Sequence, residues 1–312
     1  MILCAGLSPA WQHTLIFDAL RMGEVNRARE VHWCASGKVI NAARAVHRLA
    51  AHEGGGLRGR ALTALGGVTG DATRAALAAE GLDAALLPVR AATRVCTTVI
   101  GRAEGSITEL VEEAGSLGSA DLDGFRALFR AEAGRAKAMV LTGSLPTGTP
   151  ADYHRTLIEG IAVPTILDIR GPELLATLPL KPFLVKPNRE ELARTVGQPI
   201  GDETELVTAM QELVRRGAQW VLVSQGAEAV WVAGDGRLHR FRPPRVEVVN
   251  PIGSGDSLAG GIAFGIASGL APLDAIRLGI AAAVENATSL LPGYIDPASV
   301  AHRLGDVRID LA

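Results

Sequence analysis

The segment Asn250-Pro-Ile-Gly-Ser-Gly-Asp256 sets two glycines and one carboxylate at the start of an apolar stretch, residues 257–270, that reads as a helix. A helix N-terminus carries unpaired N–H groups and about half a positive charge, so it attracts anions. Gly253 and Gly255 allow the backbone to approach a ligand with no side chain in the way. Asp256 then falls in the first helical turn, beside any anion held there. A carboxylate in that position could take a proton from a hydroxyl that attacks a phosphoryl group. It could equally do no more than complement the helix dipole.

Other segments could share that chemistry. Lys186-Pro-Asn188-Arg-Glu-Glu191 follows an apolar run, and Asn188 with Glu191 three residues on has the spacing of a capping box. The same amide and carboxylate could meet Mg²⁺ through its waters, as this hard ion prefers. Ser224-Gln-Gly226 could take up a nucleotide phosphate or ribose. Ser36-Gly37-Lys38-Val-Ile-Asn41 offers a turn, a cation and an amide at the start of a helix, but it is not a Walker A loop. Gly66-Gly67 and Gly70-Asp71 flank another strand-to-helix turn without a dinucleotide fingerprint.

These segments must be carried by elements that repeat in a recognisable order. Apolar runs at 2–7, 61–65, 138–142, 165–168, 183–186 and 221–224 read as buried strands. Helical patterns lie near 39–50, 71–80, 123–134, 151–160, 189–196, 204–216, 254–269 and 272–289. Alternation of this kind predicts an α/β fold with a mostly parallel sheet covered on both faces. Ligands in such sheets bind beyond the carboxyl ends of the strands, where most of the marked residues fall. Residues 11–36 and 93–112 break the alternation and predict a small antiparallel sheet, an inserted lid. The glycine-rich stretch at 53–59 reads as a flexible loop.

Bulk properties narrow the classes. The 312 residues are 48% hydrophobic and 21% charged, a globular composition. A net charge of −2 gives no bulk attraction to nucleic acid or anionic lipid. No window reads as a membrane span, and the N-terminus lacks the basic start of a signal peptide. Cys4, Cys34 and Cys96 match no zinc spacing and read as reduced thiols of a cytoplasmic protein.

Taken together, Gly253-Ser-Gly-Asp256, Lys186-Pro-Asn-Arg-Glu-Glu191, Gly143-Ser-Leu-Pro146 and Gly23-Glu-Val-Asn-Arg-Ala28 resemble the PfkB branch of the ribokinase-like sugar kinases. The nearest subgroup is that of 1-phosphofructokinase and tagatose-6-phosphate kinase. The resemblance implies a ribokinase-like three-layer fold, with residues 1–312 forming one kinase domain and a β lid contributed by about 11–36 and 93–112. It implies Asp256 as catalytic base, with the N–H groups of Gly253, Ser254 and Gly255 as anion hole for the transferred phosphoryl. Lys186, Asn188, Ser224 and Gly226 would line an ATP site, with Asn188 and Glu191 organising Mg²⁺ through water. Gln12, Gly37, Lys38, Asn41 and Arg94 would meet a sugar phosphate, and Arg27 could reach its phosphate. A homodimer through the lid is expected, leaning on apolar residues such as Ile16 and Phe17.

The acceptor side departs from the family. Where the subgroup opens with Asn-Pro-Ala-x-Asp, this chain has Ser8-Pro-Ala-Trp-Gln12, so a carboxylate becomes an amide. The Gly-Gly-Lys-Gly turn becomes Ser36-Gly-Lys-Val39, and side chains at Ser36 and Val39 would narrow the pocket or redirect the backbone. Trp11 could stack on a sugar or base, or serve as a core or interface aromatic. Asp168 matches the family's Asp-Thr-Ser-Gly position. These changes leave two competitors: a kinase for an unphosphorylated sugar or nucleoside, and a non-catalytic sensor of nucleotide or sugar phosphate.

Overall fold

A computed structural model describes residues 1–54 and 56–311. The first half runs β1 (Ile2–Ala5), β2 (Ala10–Phe17), β3 (Glu30–Ser36), α1 (Lys38–Glu53), β4 (Gly59–Leu65), α2 (Gly67–Ala79), β5 (Asp83–Pro88), β6 (Arg94–Gly101), β7 (Ser106–Val111) and α3 (Ser119–Ala133). Next come β8 (Ala138–Thr142), α4 (Tyr153–Ile158), β9 (Thr165–Asp168), α5 (Gly171–Thr177), β10 (Leu184–Val185), α6 (Arg189–Val196) and α7 (Glu203–Arg215). The chain ends with β11 (Trp220–Val223), β12 (Val230–Gly234), β13 (Arg237–Arg242), α8 (Ser254–Ala267), α9 (Pro272–Ala287), α10 (Pro297–Asp306) and β14 (Arg308–Leu311).

The main sheet has the order β14-β13-β12-β11-β10-β9-β8-β1-β4-β5. It is parallel from β11 to β5, and antiparallel from β11 out to β14. Parallel strands buried on both faces need continuous apolar runs, and β1 and β8 are buried at every residue. Their alternate side chains feed two cores. Cys4 and Val140 pack with residues of α1, α8 and α9 on one face, whereas Leu3 and Leu141 pack with residues of α3, α4, α6 and α7 on the other. This is the three-layer α/β arrangement.

The lid is a second sheet in the order β3-β2-β6-β7. The expected antiparallel lid is corrected here: β2–β3 and β6–β7 are antiparallel, but β2 and β6 run parallel. They follow β1 and β5, strands of one parallel set, so both leave the same edge of the body in the same direction. Ile16 and Phe17 are buried, which removes them from any exposed face. Val31, Trp33 and Leu110 are exposed on the outer face, where Trp33, His13, Thr97 and Leu110 occupy one row across the four strands.

Sequence periodicity overlooked β5, α5, α10 and the antiparallel strands β12, β13 and β14. In the 53–59 stretch, α1 extends through Glu53 and Gly55 lies outside the described residues.

Candidate active site

Helix α8 delivers Asp256 because it is allowed to come close. A Cβ on Gly260 would stand 2.7 Å from the Ala42 carbonyl oxygen, so only a bare backbone lets α8 lie this near α1. That approach brings Asn41 of α1 against Asp256, and the Asn41 amide nitrogen donates to Asp256 Oδ2 at 2.8 Å. Gly253 caps the helix at φ +85°, and a Cβ there would meet Pro292 at 2.6 Å. An L side chain would therefore be both strained and obstructed at this position.

The loop before Asp256 is held by Asn286 of α9, a fully buried residue. Its amide nitrogen donates to the Ile252 carbonyl (2.9 Å) and to Ser254 Oγ (3.1 Å). Its oxygen accepts from the Gly293 N–H (2.7 Å) and from Ser257 Oγ (3.2 Å). All of the amide's capacity is spent on fixing this turn. The Ser254 N–H itself turns back to the Pro251 carbonyl at 3.1 Å, which corrects its expected place in the anion hole. The first-turn N–H groups of α8, including that of Gly255, lack the intrahelical partners that later residues have.

A charged network stands beside this turn. Asp168 ends β9 and is buried, with Lys186 Nζ at 3.0 Å from Oδ1 and Lys38 Nζ at 3.3 Å from Oδ2. Thr142 Oγ1 also donates to Oδ2 at 3.1 Å. Burial alone would raise the Asp168 carboxyl, but Lys186 and Lys38 outweigh it and hold it at about 2. Asp256 goes the other way. Burial, and next the Asp168 carboxylate, push it up to about 6 against the pull of Lys38, the Asn41 hydrogen bond and Lys186. Burial also opposes the Lys38 charge, yet Asp168, Glu191 and Asp256 keep it well above the ordinary lysine range. The two aspartates thus differ in protonation: Asp168 is a fixed anion, and Asp256 gains and loses a proton near neutrality.

Asn188 caps α6 as its spacing predicted. The Glu191 N–H donates to Asn188 Oδ1 (2.8 Å), and the Asn188 N–H donates to Glu191 Oε2 (3.0 Å). Glu191 Oε1 faces Arg170 at 3.4 Å and Lys38 at 3.9 Å.

A cavity of about 840 Å³ opens in front of these groups, beyond the carboxyl ends of β9, β10 and β11 and under the inner face of the lid. Gln12 and Arg94 reach it from the lid, and Gly37, Lys38 and Asn41 from the start of α1. Lys186, Asn188, Glu191, Ser224 and Gly226 line the body side, and Gly253, Ser254, Gly255 and Asp256 complete the wall. Of the residues expected at the site, all but Arg27 and Val39 therefore face one cavity.

Several expected details change. Val39 packs into the core and does not line the cavity, so it cannot narrow it. Ser36 does line it, with its hydroxyl on Asn41 Oδ1 at 3.0 Å. Trp11 stacks on Trp33 on the outer lid face, with ring centroids 5.8 Å apart, and does not line the cavity. Arg27 is exposed and outside the cavity wall. The Gln12 amide donates to Thr98 Oγ1 (2.8 Å). Arg94 donates to the carbonyls of Ser8 (3.2 Å) and Glu112 (3.0 Å), while its buried Nε has no partner among the described residues.

Reading the sequence missed Asn286, which holds the turn, and the cavity-lining residues Glu109, Val246, Val248, Ala283 and Ala287. Asn286 lies inside a helical pattern, where only its burial would have marked it. The four apolar lining residues have no motif at all.

The model of the pfkB family carbohydrate kinases matches residues 9–297. The chain belongs to the PfkB family of carbohydrate kinases. Among solved structures, the phosphofructokinase-2 of Escherichia coli in complex with fructose 6-phosphate superposes with a TM-score of 0.85 at 24% identity, with 98% of each chain covered. A possible 1-phosphofructokinase of Thermotoga maritima superposes with a TM-score of 0.88 at 19% identity, over 100% of this chain and 99% of the other. These likenesses fix the fold. Membership of PfkB makes the protein a carbohydrate kinase, with ATP as the donor that such a kinase implies. No helix among the described residues is long and apolar enough to cross a membrane.

Proposed function

We propose that this PfkB kinase, one domain over residues 1–312, transfers the γ-phosphoryl of ATP to a hydroxyl of a sugar phosphate, with Asp256 as the base. The observation that carries the reading is Asp256 itself: a desolvated carboxylate titrating at about 6, in the first turn of a helix, opening on the cavity. The acceptor hydroxyl gives its proton to Asp256 as its oxygen bonds to phosphorus, while the bond from phosphorus to the ADP oxygen breaks. The N–H groups at the start of α8 would meet the charge that develops on the phosphoryl oxygens. Lys186 is well placed to add to this, since a Cβ on Gly255 would lie 3.2 Å from its Nζ. Alignment and charge neutralisation are most of what phosphoryl transfer requires.

The nucleotide would lie along Lys186, Asn188, Ser224 and Gly226, with its base against the apolar lining residues Val246, Val248, Ala283 and Ala287. Mg²⁺ fits as an ion carried by the nucleotide. No group of three His, Cys, Asp or Glu side chains among the described residues could cage it directly. Glu191 Oε1, facing only two cations at 3.4 and 3.9 Å, keeps lone pairs for a metal-bound water, with Asn188 beside it. When bound, Mg²⁺ draws negative charge away from the phosphate oxygens.

A phosphorylated acceptor is favoured because Arg94 from the lid and Lys38 from the start of α1 each bring a cation to the cavity wall. The test is ADP release from Mg·ATP across sugars, sugar phosphates and nucleosides. Turnover of a sugar phosphate, with KM raised in Arg94→Ala, is the expected result. Turnover of free sugars that ignores Arg94→Ala would assign an unphosphorylated acceptor instead. Nucleotide binding with no turnover on any compound would favour a sensor.

The proposal includes a cytoplasmic setting, supported by three buried unpaired cysteines. It also includes a homodimer in which two lids meet, supported by outer-face side chains Val31, Trp33 and Leu110, which are 51%, 47% and 58% exposed. Trp33→Glu is expected to yield monomers in sedimentation velocity where the parent sediments as a dimer. A parent that sediments as a monomer at micromolar concentration would refute the lid interface.

A further inference from the structure

We propose that Ser36 and Arg44 are positioning residues that lock the Asn41 amide in one orientation, so that it donates to Asp256 and holds the base as an aimed carboxylate. This rests on the reading of Asp256 as the base. The hydrogen-bond chemistry leaves one orientation for the amide. Arg44 can only donate, and its Nη1 stands 3.5 Å from Asn41 Oδ1, so the oxygen must face the guanidinium. Ser36 Oγ lies 3.0 Å from the same oxygen and therefore donates to it. The amide nitrogen is left for Asp256 Oδ2 at 2.8 Å, where an ionised carboxylate only accepts. A flipped Asn41 would set the Arg44 donor against its nitrogen and an oxygen against the carboxylate, and Ser36 would lose its place as donor.

Arg44 is itself immobilised. Its guanidinium pairs with Glu80 (2.6 and 2.9 Å), donates to the carbonyls of Ala35 (2.6 Å) and Pro292 (3.0 Å), and lies over the Tyr294 ring. Ala35 adjoins Ser36 at the end of β3. Pro292 adjoins Gly293, which bonds Asn286, the residue that fixes the loop before Asp256. One buried cation thus ties the root of the lid to both sides of the base.

The charged groups facing Asp256 are Asp168 on β9, Lys38 on α1 and Lys186 just after β10, with Glu191 on α6 beyond Lys38. Against the Asp168 carboxylate and burial, the Asn41 hydrogen bond is one of three influences that favour ionisation, and the only neutral one. Weakening it must therefore raise the midpoint of the base. The change from the family's glycine to Ser36 gives this chain a hydroxyl that does this work.

The decisive experiment is a carboxyl titration by ¹³C NMR on aspartate-labelled protein, with the Asp256 signal identified by its loss in Asp256→Asn. It needs no acceptor, so it stands even if the kinase reading fails. Ser36→Ala is expected to raise the Asp256 midpoint by about half a unit to one unit, the scale of one hydrogen bond. Ser36→Thr, which restores the hydroxyl, is expected to reverse most of that rise. In turnover, the Ser36→Ala loss should grow as pH falls, reaching about 3–10-fold where the base is mostly protonated. Should Ser36→Ala fail to fold, Asn41→Ala serves in its place and should raise the midpoint further, because the donor itself is gone. An unchanged midpoint with turnover lowered equally at every pH would overturn the proposal and leave Ser36 a packing residue.

Discussion

Asp256→Asn is expected to lower turnover by about 10²–10⁴-fold or more while making the folded protein more stable at neutral pH. Both effects come from the same burial. Asp256 is 7% exposed, and burial with the neighbouring Asp168 carboxylate lifts its titration to about 6. For a carboxyl raised above its unfolded value, the folded state binds the extra proton between that value and about 6. Stability therefore falls as pH rises through this window, and the cost persists above it. Asparagine cannot ionise, so it removes the cost together with the base. Denaturant midpoints at pH 7.5 should be higher for the variant, with the gap closing toward pH 4. A variant less stable than the parent at pH 7.5 would show that the carboxylate is a net structural asset, contrary to its surroundings.

Asp168→Ala is expected to be the most damaging single truncation in the network, costing about 3–5 kcal/mol of stability. It leaves the Lys186 ammonium, 5% exposed, without its carboxylate partner at 3.0 Å, and removes the 3.3 Å partner of Lys38. Removing one partner of a buried pair strands a desolvated charge, which is far more costly than never having made the pair. Lys38 suffers less, since its side chain is 40% exposed and retains Glu191 at 3.9 Å. The pH dependence has the opposite sign from that of Asp256. Asp168 is held at about 2, below its unfolded value, so its contribution is fully present above that value and lost as pH falls toward 2. Equilibrium urea unfolding checks both points: the parent should lose stability steeply below pH 4, and the variant should lack that part of the loss.

The body of the fold was legible because its parallel strands are buried on both faces and read as continuous apolar runs. Strands β12 and β13 were harder to find. Arg237–Arg242 carries arginines and a histidine through an outlying part of the sheet, so it lacks such a run. The lid was recognised as β structure from its alternation, but strand direction is set by where the chain leaves the body, and local pattern does not carry that. Ile16 and Phe17 illustrate the same limit. Apolar residues in a lid can face the body as readily as a partner, and these two are buried.

The site was legible in its chemistry and less so in its commitments. Asp256, Lys186, Asn188 and Gly253 sit at helix starts and strand ends, where residue type and position together announce them. That Asn41 spends its amide on Asp256 could not be read from spacing, because it depends on a contact between α1 and α8 across 215 residues of chain. Val39 misled for a simpler reason. A residue beside a turn points to the pocket or to the core according to its helical phase, and Val39 points to the core.

The most direct measurement is transfer of label from γ-labelled Mg·ATP to a panel of phosphorylated sugars, run in parallel with wild-type and Asp256→Asn protein. Label on one sugar phosphate with wild-type protein, cut by at least about 10²-fold in the variant, is the predicted result. Equal labelling by both proteins would mean that Asp256 is not the base, and the assignment of the reaction to this cavity would fall with it.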